Sequence, residues 1–466
     1  MRLFKIAACI TLTSSSLYVK SQITLPSVFS DNMVIQRNSD VNFWGWAGRG
    51  SNVKIIPSWS NDTLNVKASG HAKFATKLKT PAAGGPYSIT ILNGKYKQTI
   101  NNILIGEVWL CSGQSNMEWN SGNKLKEMID ELPNANNDQI RLLHVNRAAS
   151  FFPQENFSNK WQVSNPQSAD GFSAIGYFYA KKLQKELKVP IGIISSNIGG
   201  TNAEVWVPDT VIANDATLAK DAATFQPSAS RPHEPGTLWN TMIYPLVGYN
   251  IAGFLWYQGE SNVNNYANYN RLMTKLINTW RGAWKAELPF YFVQIAPYNY
   301  KSKPSLQKAA LLREQQTKLL ALKNTGMVVV SDLTPDTNNI HPILKKEVAN
   351  RLADLSLANV YGKKLVAYKS PVYKSHKVDG SKVIIDFEGL DDGLEVKGTE
   401  ITHLFIADDS KEFKLAKFKI KEKQLIVFHP DIKKPTVVRF SFSDTAISNL
   451  FTKSGLPVAP FRTDNW

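Results

Sequence analysis

The chain has 466 residues, 43% of them hydrophobic and 20% charged, so it holds ample apolar material for packed cores and is not a disordered chain. Lysine and arginine number 54 against 38 acidic residues, a formal charge of +16 that favours acidic partners in general and selects none. Only Cys9 and Cys111 are present, which excludes a disulfide scaffold and a cysteine-ligated structural zinc site.

Arg2 and Lys5 precede a mostly apolar run at 6–19 that is too short to span a bilayer, and Ser21-Gln22 follows it. This is the pattern of a secretory signal peptide over 1–21, and it predicts an exported protein, periplasmic or secreted. No later stretch approaches about 18 uninterrupted apolar residues, so no membrane span is expected. Residues 22–102 alternate with period two between Asn/Gly/Pro clusters, as in Val41-Asn42-Phe43-Trp44, and predict an N-terminal β-sandwich domain.

From 103 the pattern changes to strands alternating with helices. Strands are expected at 104–111, 191–195, 252–256, 290–295 and 327–330. Helices are expected at 172–187, 269–284, 306–322 and 343–357, the first capped by Ser173 and stopped by Lys188-Val189-Pro190. Repeated βα units make 103–362 an α/β domain with a parallel sheet covered on both sides. Residues 363–466 return to period two and predict a β-rich C-terminal domain, with Lys417, Lys419 and Lys421 on a solvated strand face.

Open parallel sheets present their sites beyond the carboxyl ends of the strands, so reactive groups are sought in the loops there. The first loop reads Ser112-Gly113-Gln114-Ser115-Asn116-Met117. A glycine two before Ser115 permits a sharp turn that exposes the hydroxyl, although Met117 stands where a G-x-S-x-G elbow has its second glycine. The next loops offer Gly199-Gly200-Thr201, whose N–H groups suit an oxyanion, and the polar and aromatic run Trp256–Asn262. The last is 331–342, ending in Ile340-His341-Pro342, where a base would face Ser115.

Four of these blocks, Gly113–Met117, Gly199–Thr201, Tyr257–Asn262 and Ile340–Pro342, taken in order together with the C-terminal ending at 455–466, resemble the sialate O-acetylesterase family of the SGNH hydrolase superfamily. The resemblance implies an SGNH-type (flavodoxin-like) three-layer α/β sandwich with a parallel sheet, flanked by N-terminal and C-terminal β-sandwich-like regions. It implies an esterase that removes O-acetyl groups from sugars such as sialic acids, without a metal or organic cofactor. Carried over, Ser115 matches the nucleophile and His341 the general base. The oxyanion hole would combine the Ser115 N–H, Gly199 or Gly200, and the Gln258 amide. Asn116, Trp119, Trp206, Trp256, Tyr257 and Glu260 are candidate substrate-binding residues, the aromatics as platforms for a sugar ring.

One departure matters. The family commonly has an Asp two residues before the histidine and the wider superfamily has one three before; here these positions are Asn339 and Asn338. Two arrangements stay open: a Ser-His dyad oriented by a backbone or amide oxygen, or a triad completed by a displaced acid, Asp336 before Asp332. Other acetylated glycans such as xylan or pectin are alternative substrates, and a non-catalytic carbohydrate-binding protein is the alternative class. The expected partner is an acetylated sugar or glycan, with no nucleic acid; no oligomeric state is read from the sequence.

Overall fold

The computed structural model describes residues 22–228, 231–301 and 307–466; the expected signal peptide, 1–21, lies outside them. Period-two alternation is realised first as β1 (Val34–Gln36), β2 (Asp40–Trp46), β3 (Asn52–Pro57), β4 (Leu64–Lys67), β5 (Lys73–Lys79) and β6 (Gly84–Asn93). In β2 the inward residues Val41 and Phe43 are buried, and the strand pairs antiparallel with β5. The others form a second sheet, with β3 between β4 and β6.

The next strand, β7 (Tyr96–Gly113), is 18 residues long and belongs to two sheets. Its first part pairs antiparallel with β6, and Leu104–Gly106 pair in parallel with β1. Its second part runs in parallel between two strands of the central sheet. The expected domain boundary at 102/103 therefore falls inside one continuous strand.

Beyond β7 the chain forms α1 (Ser115–Glu118), α2 (Lys126–Glu131), β8 (Asn137–His144), β9 (Gln162–Ser164), α3 (Pro166–Ala169), α4 (Ala174–Leu187) and β10 (Ile191–Asn197). Then follow α5 (Asp209–Ala213), α6 (Ala216–Ala222), β11 (Gly253–Tyr257), α7 (Tyr269–Trp284), β12 (Phe290–Val293), α8 (Lys308–Lys318), β13 (Thr325–Val328) and α9 (Lys345–Asn359). The sheet order is β13-β12-β11-β7-β10-β8, parallel throughout, with β9 antiparallel at the outer edge. Every residue of β10 and β11 is buried, which is why β11 reads as an unbroken apolar run and β10 opens on one, ahead of Ser195-Ser196-Asn197.

Helices α4 and α9 cover one face, where Tyr179 and Ser356 share a hydroxyl hydrogen bond of 2.6 Å. Helix α7 packs Leu276 and Trp280 against the other face. Ser173 caps α4 through Gly176 N–H, and Lys188 ends it in the left-handed conformation, as expected. Cys111 is buried under α4, and burial pushes its thiol up to about 12, so it is a core residue and no nucleophile.

The C-terminal segment folds as antiparallel sheets around Val383, Ile385, Leu404, Val427 and Phe440. Lys417, Lys419 and Lys421 are exposed. This layer is tied to the α/β domain by Arg462, whose Nε donates to Glu314 Oε1 at 2.9 Å, and by Tyr298 N–H donating to the Asp444 carbonyl at 2.9 Å.

Candidate active site

The ends of β7, β10 and β11 and the loop after β13 converge at one edge of the sheet. Gly113 closes β7 at φ +132°, and a Cβ there would stand 2.2 Å from the Tyr257 carbonyl oxygen; no other residue fits the turn. The chain then reverses into α1, whose first residue is Ser115. The loop 331–342 brings His341 opposite, and His341 Nε2 lies 2.8 Å from Ser115 Oγ. Trp119, one turn on from Ser115, stacks on the imidazole with ring centroids 4.4 Å apart and planes 24° apart. These two contacts fix the imidazole against the hydroxyl.

Neither proposed acid reaches this pair. The exposed Asp336 carboxylate accepts from Asn338 N–H at 2.8 Å, which turns it into its own loop. Asp332 is held by Arg351, with Nη1 and Nη2 donating at 2.8 and 2.7 Å. Asn339 does contact the histidine, but through Oδ1 accepting from the His341 backbone N–H at 3.0 Å. Among the described residues no carboxylate lies within ion-pair distance of the His341 ring. Burial, followed by the charge of Lys345, lowers the imidazole to about 4, so it is the free base at neutral pH.

The oxyanion donors also differ from expectation. Gln258 is fully buried behind the site: its Nε2 donates to Asn262 Oδ1 at 2.7 Å and to the Thr201 carbonyl at 3.2 Å, and its Oε1 accepts from Tyr269 Oη. An amide so engaged braces the loops and has no free donor for a substrate. Gly199 N–H donates to Glu118 Oε2 at 2.8 Å. The N–H groups of Ser115 and Gly200 have no acceptor among the described residues, so these two remain free for an oxyanion.

Of the six candidate substrate-binding residues, only Trp119 stands at the rim. Trp206, Trp256 and Tyr257 are buried in the core, with Trp206 Nε1 donating to Thr201 Oγ1 at 3.1 Å. Asn116 and Glu260 are buried and bonded to each other, Nδ2 to Oε1 at 2.6 Å. Charged residues not foreseen also lie around the site. Glu118 joins α1 to the β10 loop and accepts from Arg147 Nε at 2.9 Å. Arg231 lies over Gly200, its Cδ and Nε 2.8 and 2.9 Å from where a Cβ on that glycine would stand. Lys345 is buried beside Asn116. Position was the available signal, since Glu118 follows Ser115 by three residues and Lys345 follows His341 by four. Both read equally well as solvated charges. Among the described residues no group of three or more His, Cys, Asp or Glu side chains is placed to hold a metal ion.

Residues 105–358 match the family of carbohydrate esterases described as sialic acid-specific acetylesterase. The chain is 29% identical over 383 residues to human sialate O-acetylesterase, covering 74% of this chain and 72% of that one. It is 27% identical over 430 residues to the mouse sialate O-acetylesterase, with 77% of each covered. A carbohydrate acetylesterase from Xanthomonas citri superimposes with a TM-score of 0.88 at 32% identity, over 96% of this chain and 100% of that one.

Proposed function

Because the chain belongs to the sialic acid-specific acetylesterase family of carbohydrate esterases, we propose that it is an exported serine esterase that removes O-acetyl groups from sialic acids through an acetyl-enzyme. The observation that carries this reading is the 2.8 Å contact between Ser115 Oγ and His341 Nε2. His341 takes the hydroxyl proton as Oγ attacks the acetyl carbonyl. The oxyanion accepts from the Ser115 and Gly200 N–H groups. The imidazolium then passes its proton to the departing sugar oxygen, leaving the acetyl group on Oγ. Water, deprotonated by the same imidazole, releases acetate and restores the serine. With no carboxylate among the described residues at the ring, the pair works as a dyad.

Arg231 favours a carboxylated sugar over a neutral one. Its guanidinium borders Gly200, has no carboxylate partner among the described residues, and offers the fork that binds a carboxylate in bidentate fashion. Hydrolysis of O-acetylated sialic acid is expected to be lost in Ser115→Ala; equal rates for that variant and the wild type would refute the esterase reading. Arg231→Ala is expected to raise KM about tenfold or more for the sialic acid ester, and to leave KM for a neutral acetylated xylo-oligosaccharide within about twofold. Export is tested by the N-terminal sequence of the protein recovered outside the cytoplasm, which should begin at Gln22.

A further inference from the structure

Behind the Ser115–His341 pair runs a buried file of polar side chains that the reaction as written does not use. Lys345 Nζ donates to Asn116 Oδ1 at 2.5 Å, and Asn116 Nδ2 donates to Glu260 Oε1 at 2.6 Å and to the Ile340 carbonyl at 3.1 Å. Glu260 Oε2 is buried without a partner among the described residues. Lys345 is 1% exposed, and its Nζ lies 5.7 Å from the centroid of Trp119, the ring stacked on His341. Asn116 follows the nucleophile and Ile340 precedes the base, so the file is bonded to the chain at both halves of the pair. Burying an ammonium against a neutral amide is costly, and packing alone would be met by an apolar side chain.

We propose that Lys345 is a positioning residue whose charge sets the base strength of His341, so that the esterase gains activity as this buried ammonium releases its proton to water. The inference rests on the esterase reading of Ser115 and His341. Attack by Ser115 creates an imidazolium, and a cation beside Trp119 opposes it where no carboxylate among the described residues stands at the ring. A neutral amine removes that opposition and still donates to Asn116 Oδ1, so the geometry is kept. The ionisable groups facing Lys345 are Glu260 from the β11 loop, Glu127 from α2, Tyr257 from β11 and His341. Burial lowers the ammonium to about 7 while Glu260 and Glu127 hold it up. Because burial and Lys345 keep His341 near 4, a change of rate near neutrality belongs to the lysine.

The test is kcat/KM between pH 5 and 9 on an aryl acetate, corrected for spontaneous hydrolysis, for the full-length wild type, K345M, K345R and E260Q. The wild type is expected to rise about three- to tenfold through neutral pH. K345M should lose this step and hold the higher plateau, and K345R, charged throughout, should stay on the lower one. E260Q should move the step to lower pH, because it removes an anion that keeps the ammonium protonated. A flat wild-type profile, or a wild-type step persisting in K345R, overturns the proposal, and both readings stand even if K345M does not fold. S115A is measured alongside. Its retention of activity would remove the esterase reading, whereas an inactive S115A with the step intact in K345R removes only this inference.

Discussion

Asn339 stands where the family's pattern has an acid, and the structure keeps it at His341 by a different bond, from the histidine backbone N–H to Oδ1 at 3.0 Å. A carboxylate on this side chain would place an anion at the His341 backbone, a charge of the sign that favours the imidazolium. The sign follows directly: His341 now titrates near 4, an added anion raises that value, and the acidic limb of kcat/KM moves to higher pH. Asn339→Asp is therefore expected to shift the limb upward by about one unit or more and to raise the rate above it; the pH profile and an NMR titration of the ring check both. The meeting of Ser115 and His341 was legible in the sequence because both fell in loops beyond strand ends of the parallel sheet. Gln258, Trp206, Trp256 and Tyr257 were misread for a physical reason. A polar and aromatic run at a strand end looks the same whether its side chains face the cleft or brace it from behind. Here Tyr269, Asn262 and Thr201 claim the Gln258 amide.

At the scale of elements, His341 is only as well placed as the loop that carries it. That loop is pinned to α9 by Arg351, which donates to both Asp332 oxygens and, through Nη1, to the Val329 carbonyl at 2.7 Å. The Asp332 side chain is 12% exposed and that of Arg351 7%, so this pair is well shielded from water. Asp332 thus serves the histidine's position without touching its ring. Asp332→Asn would leave the buried guanidinium with only the more exposed Glu347, 3.4 Å from its Nε, as counter-charge, at a cost of about 2 kcal/mol in denaturant unfolding. It should also lower kcat/KM about tenfold by loosening His341, whereas Ser115→Ala abolishes activity at no cost in stability. The helices themselves were readable from apolar spacing and caps, as at Ser173 and Lys188. The loop was not, because the pairing of Asp332 with Arg351 joins residues 19 apart across a turn that no periodicity encodes.

Across the whole molecule, β7 decides how the N-terminal layer and the catalytic sheet relate. The sequence suggested a domain boundary at 102/103 because its pattern changes there, from alternation to a mostly apolar run. That change marks where the strand passes from a half-exposed sheet to a buried one, and the backbone continues through it. At the crossing, a Cβ on Gly106 would stand 2.0 Å from the Pro190 carbonyl oxygen, a backbone atom that cannot move without displacing β10. Gly106→Ala should therefore destabilise by about 3 kcal/mol or more, since overpacking against fixed backbone has no low-energy relief. Its effect should reach both layers at once: N-terminal tryptophan fluorescence and esterase activity are expected to fall at the same denaturant concentration, in the variant as in the wild type. A chain beginning at 103 would lose β1 and β6, leaving Ile103 and Ile105 and both edges of β7 at 103–106 uncovered, and is expected to aggregate. A soluble, active 103–466 fragment would show that the N-terminal layer is an accessory to the catalytic fold. Coincident loss on heating or in denaturant would show it to be part of the same cooperative unit.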